Sequence, residues 1–303
     1  EENVQRIGKP ILDEAETLIP AAVSSLEMMI RRVIDDSSNV KDGGCFRLGL
    51  LNRFLLSALI DADRIDTISF ETNRPYIPKY ADFQKLSDRL EIYLSSFPSD
   101  GEVSEIRRKV SDECLSASSR SRGIYTLSVP TGGGKTLSSL RFAINHARIH
   151  GMERVIFVAP YLTILEQNAA VVRKALGDLG DDELVECHSN IDVGRDDSGY
   201  VATIDSGMDS WDAPIIFTSM VQFLEALFSS GTRRVRRMHN LANSVIVFDE
   251  IQSLPIKTTF MFNETISFLT RYCGSTAVLC TATQPMLGGD LDYPLRLSEG
   301  SEI

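Results

Sequence analysis

Three consecutive glycines run into Lys135 and Thr136, and far along the chain Asp249 and Glu250 close an apolar run; these groups could bind a nucleoside triphosphate and cut it. The segment from Thr126 reads Thr-Leu-Ser-Val-Pro-Thr-Gly-Gly-Gly-Lys-Thr. Glycine lets backbone pass close to a polyphosphate, so the N–H groups of Gly132, Gly133 and Gly134, after Thr131, can face the anion with the positive end of the next helix. Lys135 would reach the β- and γ-phosphates and the Thr136 hydroxyl would hold Mg²⁺, which makes ATP and Mg²⁺ the expected ligands. Val129 stands where the general pattern G-x-x-x-x-G-K-[ST] has glycine. Asp249 suits Mg²⁺ binding through its water shell, and Glu250 suits orienting or deprotonating the attacking water. A later strand ends in Thr281-Ala282-Thr283, two hydroxyls at a place that suits sensing of the γ-phosphate.

Two other strand ends suit a different ligand. Pro160, Tyr161, Thr163 and Gln167 follow one, and Thr218, Ser219 and Gln222 follow another. Small polar groups at helix N-termini fit nucleic-acid phosphates, while helix capping explains Thr218 and Ser219 equally well. Arg233, Arg234, Arg236 and Arg237 form the densest basic cluster. It could line a nucleic-acid path, dock a protein or sit as a solvated helix end. His146 and His150, four apart, have no nearby carboxylate or cysteine to complete a metal site and read as ordinary helix surface.

The elements that must position these residues alternate. Strands are expected over 154–159, 184–188, 213–218, 244–248 and 276–281, with helices over 103–117, 135–150, 162–176, 219–228 and 258–272. Continuous apolar strands alternating with helices imply an α/β fold, a parallel sheet covered on both faces, with ligands at the carboxyl ends of the strands. The acidic stretch 189–212 lacks the spacing and glycine of a calcium loop and reads as a solvated excursion. Residues 11–66 are helical in pattern. There Leu51, Phe54, Leu55, Ala58, Leu59 and Ala62 form an apolar face, and Arg53, Ser57 and Asp61 a polar stripe expected to be a solvated edge. Pro75, Pro78, Pro98 and Gly101, around a short helical segment over 82–94, mark a connector between domains.

At 303 residues, 43% hydrophobic and 24% charged, the chain can bury a large core, and no apolar run has the length of a membrane span. A net charge of −11 argues against a generally sticky nucleic-acid binder but leaves room for a local basic groove. Five scattered cysteines without C-x-x-C spacing predict reduced thiols and a cytoplasmic setting. The opening Glu1-Glu2-Asn3 predicts a piece of a longer chain.

These motifs together resemble a superfamily 2 helicase: Val-Pro-Thr-Gly-Gly-Gly-Lys-Thr as motif I, Ala159-Pro160-Tyr161 with Gln167 as Ia, Asp249-Glu250-Ile251-Gln252 as II and Thr281-Ala282-Thr283 as III. Motif I in that superfamily often lacks the first glycine, which accommodates Val129. More narrowly the chain resembles the Cas3 family of nuclease-helicases of type I CRISPR interference. The residues carrying that likeness are Val247-Phe248-Asp249-Glu250-Ile251-Gln252-Ser253-Leu254-Pro255 and the segment from Ser57 to Asp63, similar to a serine and aspartate motif late in the HD nuclease domain.

The resemblance implies four regions: 1–72 as the helical C-terminal part of an HD domain, 73–102 as a linker, 103–285 as a first RecA-like lobe and 286–303 as the start of a connection to a second lobe. It implies ATP-driven movement of single-stranded DNA toward a metal-dependent nuclease that degrades invader DNA. A divalent transition metal is expected in the complete HD domain, with Asp61 a ligand. Gln252, Thr281 and Thr283 would couple hydrolysis to movement, and no Q motif precedes the loop. The implied partners are a Cascade-type surveillance complex, with anti-CRISPR or other Cas proteins beyond it, and no membrane. Two other readings stay open: a superfamily 2 RNA helicase and a non-catalytic ATP-binding module.

Overall fold

The computed structural model describes residues 2–37, 43–98, 100–130, 132–177, 179–180, 183–187, 210–254, 258–281, 295, 297 and 300–303. The chain divides into two compact units, Glu1–Asn52 and Arg53–Ile303. Helix α1 (Glu2–Ser37) lies in the first, and α2 (Gly43–Thr72) runs through the division.

The second unit is built on six parallel strands. They are β1 (Ile124–Ser128), β2 (Arg154–Ala159), β3 (Leu184–Cys187), β4 (Ile215–Ser219), β5 (Ser244–Phe248) and β6 (Thr276–Thr281). Their order across the sheet is β1-β6-β5-β2-β4-β3. Strands β2, β5 and β6 are buried along their whole length, as strands with continuous apolar interiors between two helical layers must be. The order matters for function: the strand after which the three glycines come, β1, lies beside β6 and one strand from β5. Three chemically equipped strand ends therefore share one edge of the sheet.

The expected helices form as α4 (Glu102–Ala117), α5 (Lys135–His150), α6 (Leu162–Leu176), α7 (Met220–Phe228) and α9 (Thr259–Tyr272), with a single turn α8 (Thr232–Val235). Helix α5 is buried from Ser138 to Ala147, so its polar residues need internal partners. Arg141 finds Glu91 (2.6 and 2.7 Å) and Asp112 (2.7 Å). His146 is fully buried between the Ser118 carbonyl (2.8 Å) and the Thr276 hydroxyl (2.9 Å), stacked on Phe142, which corrects its expected place on the helix surface.

Two further expectations are corrected. The stretch 73–102 is more than a linker: the short helix expected in it forms as α3 (Phe83–Ser95), but it buries Phe83, Leu86 and Leu90 in the main core and fastens to α5 through Glu91–Arg141 and a 3.0 Å Ser87–Asn145 bond. At the other end, residues 301–303 pair with the outer edge of β1: Thr126 N–H donates to Ser301 O and Ile303 N–H to Thr126 O, each at 2.9 Å. The polar stripe of α2 is buried rather than solvated. Ser57 is 0% and Asp61 4% exposed, whereas Leu59 on the apolar face is 68% exposed. The Ser57 hydroxyl donates to Val235 O and accepts the His239 N–H at 3.0 Å, and Asp61 pairs with Arg236 at 2.6 and 2.8 Å. Polar groups can go inside when each finds a partner, and these partners lie some 175 residues away in sequence.

Candidate functional site

Gly132 and Gly134 take φ of 80° and 85°, in the left-handed region that admits glycine most readily, and Gly134 is the N-terminal cap of α5. Gly133 is required for another reason: a Cβ there would lie 2.6 Å from Val129 Cγ1 and 3.0 Å from Pro130 O. Its N–H donates to Pro130 O at 3.0 Å, so it closes the turn internally instead of facing outward with its neighbours as expected. Thr131 lies outside the described residues. Arg107 on α4 lies against the loop and donates from Nε to Gly132 O at 2.8 Å.

Lys135, at the first turn of α5, reaches across to the turn after β5. Its ammonium meets Asp249 Oδ1 at 2.8 Å and also contacts the Glu250 carboxylate. Burial alone would lower the Lys135 pKa, but hydrogen bonds and charge from Asp249 and Glu250 outweigh it and raise the pKa above the ordinary value. For Glu250 burial pushes upward, while Lys135 and Gln252 outweigh it and hold the carboxyl below its usual range. Glu250 itself sits at φ 48°, ψ 47°, uncommon backbone for a non-glycine residue. Strain of this kind costs about 1–3 kcal/mol and is tolerated where the surroundings hold it, here by the bonds of its own carboxylate.

The network continues. Gln252 donates to Glu250 from its amide nitrogen and accepts the Thr281 hydroxyl at 2.7 Å. The structure thus joins Lys135, Asp249, Glu250, Gln252 and Thr281 in one site. Thr283 lies outside the described residues. On the other side, Asn168 of α6 accepts the Thr136 hydroxyl at 2.9 Å and donates to Asp249 Oδ2 at 3.1 Å. Asn168 thereby bridges Thr136 and Asp249, two hard oxygen donors of the kind that Mg²⁺ takes. Asn168 and Arg107 are additions to the sequence reading. Asn168 carried a signal: with Leu165, Ala169 and Val172 it falls at inward spacing on α6, a polar residue in an apolar stripe. Arg107 carried none.

The proposed nucleic-acid residues separate. Pro160 is half-buried, while Thr163 and Gln167 are exposed, one turn apart on α6. Thr218 is corrected: it is fully buried, and its hydroxyl donates to Cys187 O at 3.0 Å on the neighbouring strand. Ser219 caps α7, accepting the Gln222 N–H. The arginine cluster is corrected in half. Arg236 and Arg237 are 3% and 2% exposed, the first on Asp61 and the second beside Gln222 and over the Trp211 ring. Arg233 is exposed, and Arg234 pairs with Glu225 at 2.6 Å. Asp61, expected as a metal ligand, is here an arginine partner, with His239 Nε2 3.4 Å away. Among the described residues no group of three or more His, Cys, Asp and Glu is placed to hold a metal, and no helix is long and apolar enough to cross a membrane.

The family described as type III restriction enzyme, res subunit, matches residues 101–283, which contain the loop, the acidic pair and Thr281. The chain belongs to that family. Within the res-subunit family its helicase region is Cas3-like: it is similar to the CRISPR-associated nuclease/helicase Cas3 of Haloferax volcanii, with 26% identity over 247 residues, 71% of this chain and 26% of the relative. Among solved structures it is similar to T. fusca Cas3 with ADP (TM-score 0.46, 18% identity, 69% of this chain and 23% of that one). It is also similar to the Pyrococcus furiosus Hef helicase domain (TM-score 0.40, 17% identity, 58% and 32%). The chain thus spans about a quarter of the length of the Cas3 proteins it matches.

Proposed function

We propose that this chain is the first motor lobe of an ATP-driven translocase on single-stranded DNA, coupled in the complete protein to an HD nuclease and working in type I CRISPR interference beside a Cascade-type surveillance complex. The observation that carries the reading is the bonded run from Lys135 through Asp249 and Glu250 to Gln252 and Thr281, which ties the glycine loop to two further strand ends.

Lys135 now spends its charge on two carboxylates. An incoming γ-phosphate, with more negative charge, draws the ammonium away and frees Glu250 to orient or deprotonate the attacking water. Thr136 and Asp249 would hold Mg²⁺, which supplies charge neutralisation on the β- and γ-phosphates. Release of Glu250 alters its bond to Gln252 and thus to Thr281, so events at the phosphate reach the end of β6. Pro160, Thr163 and Gln167, at the start of α6, suit contacts to DNA phosphates that fix position without reading sequence. A second lobe would complete the site with an arginine, which can be worth orders of magnitude in rate, so this lobe alone would turn ATP over slowly.

The test is ATP hydrolysis by the complete protein with single-stranded DNA and, separately, RNA. Stimulation by DNA is expected. Stimulation by RNA alone would replace this reading with an RNA helicase, and tight ATP binding without turnover under either would replace it with a binding module.

A further inference from the structure

Asn168 sits half-buried on the second turn of α6, and its side chain is the link between Thr136 and Asp249. Which end of the amide faces which partner follows from chemistry. An ionised carboxylate only accepts, so the Asn168 NH₂ must face Asp249 Oδ2, and its oxygen must then face Thr136. That forces the Thr136 hydroxyl proton onto Asn168 Oδ1, at 2.9 Å. A hydroxyl whose proton is committed in this way turns its lone pairs elsewhere. The same amide pins Asp249 by Oδ2, leaving Oδ1, which already receives Lys135 at 2.8 Å and the Glu250 N–H at 3.0 Å, on the loop side.

We infer that Asn168 is a positioning residue for divalent metal: it orients the Thr136 hydroxyl and the Asp249 carboxylate as a pair, so that the metal-dependent part of nucleotide affinity depends on it. This rests on the nucleotide-site reading above. Partners of metal ligands fix ligand orientation, and their loss typically costs about 10- to 100-fold in metal affinity. Thr163 and Gln167 lie exposed on the same helix, so α6 carries both the metal-orienting amide and the proposed DNA contacts.

The test uses the complete protein and a fluorescent, unhydrolysable ATP analogue, titrated with Mg²⁺ in excess and again with EDTA. Asn168→Leu removes both hydrogen bonds at similar volume, and Asn168→Ala is the second variant. The ratio of EDTA to Mg²⁺ dissociation constants is expected to fall by about 10- to 100-fold in both, with metal-free affinity unchanged. An unchanged ratio would overturn the inference, as would equal loss of affinity under both conditions, which marks mere structural support. A wild type that binds equally with and without Mg²⁺ would instead overturn the assignment of Thr136 and Asp249 as a metal pair, and one that binds no analogue would overturn the nucleotide site itself; the inference falls with either.

Discussion

The Thr281 hydroxyl donates to Gln252 Oε1 at 2.7 Å, so the end of β6 is bonded to the turn that follows β5. Because Gln252 also holds Glu250, this contact bonds the acidic pair to the end of β6 through side chains. Thr281→Val keeps the shape and removes the donor. Nucleotide binding is expected to survive while DNA-stimulated hydrolysis falls about fivefold, the size of one neutral hydrogen bond of about 1 kcal/mol. Hydrolysis at the wild-type rate would remove Thr281 from the coupling.

Gly133 leaves no room for a side chain, with Val129 Cγ1 at 2.6 Å and Pro130 O at 3.0 Å from a Cβ. Gly133→Ala should cost about 1–3 kcal/mol, the usual scale of overpacking, and distort the loop enough to weaken nucleotide binding. Gly132→Ala meets no atom and is strained only through its φ of 80°, for about 1–2 kcal/mol. Urea midpoints together with nucleotide titration separate the two; equal effects on binding would show that space at Gly133 is not what matters.

Asp61 and Arg236 form a buried pair, and breaking one side strands a charge. Burial alone would raise the Asp61 pKa, but His239 and Arg236 outweigh it and hold the carboxyl low. Arg236→Leu should cost about 3–5 kcal/mol, and Asp61→Leu with Arg236→Leu much less than the sum of the singles. A double-mutant cycle by urea unfolding measures this. Neutralising Arg233 and Arg234 as glutamines loses the partly exposed Arg234–Glu225 pair and should cost about 1 kcal/mol or less, and a reduced salt slope of DNA binding would assign them to the DNA path.

His146 makes stability depend on pH. A carbonyl can only accept, so Nδ1 donates to Ser118 O, Nε2 accepts from Thr276, and the neutral ring is fully satisfied. Burial is the main cause pushing its pKa from 6.5 down to about 4. Between those values the unfolded chain binds the proton and the folded one does not, so stability is present above pH 6.5 and is lost as pH falls toward 4. The loss at pH 5 relative to pH 7 is about 2 kcal/mol. His146→Gln should be less stable at pH 7 and show a shallower acid slope in urea unfolding; an identical slope would mean that His146 is not the titrating group.

Apolar runs made the sheet legible. Arg154–Ala159, Ser244–Phe248 and Thr276–Thr281 form as expected because the interior of a strand buried on both faces is a continuous apolar run, which stands out from its flanks. Lys135, Asp249 and Glu250 were legible because glycine spacing and strand ends fix where such groups go. The polar stripe Arg53, Ser57, Asp61 was not, since its burial depends on partners from Ser229 to His239 that no local pattern announces. Arg236 and Arg237 failed for the reciprocal reason: four arginines in five positions look like one patch, but the two that follow the single turn α8 go inward to Asp61 and Gln222. Asn168 was legible in principle as a polar residue at an apolar spacing.

The most direct test of the nucleotide site is calorimetric titration of the complete protein with ADP and Mg²⁺, wild type against Lys135→Ala. One-to-one binding by the wild type, lost in a variant that still unfolds cooperatively, is the predicted result. Equal binding by both, or none by the wild type, would contradict the assignment of the loop and of Lys135 as its phosphate clamp.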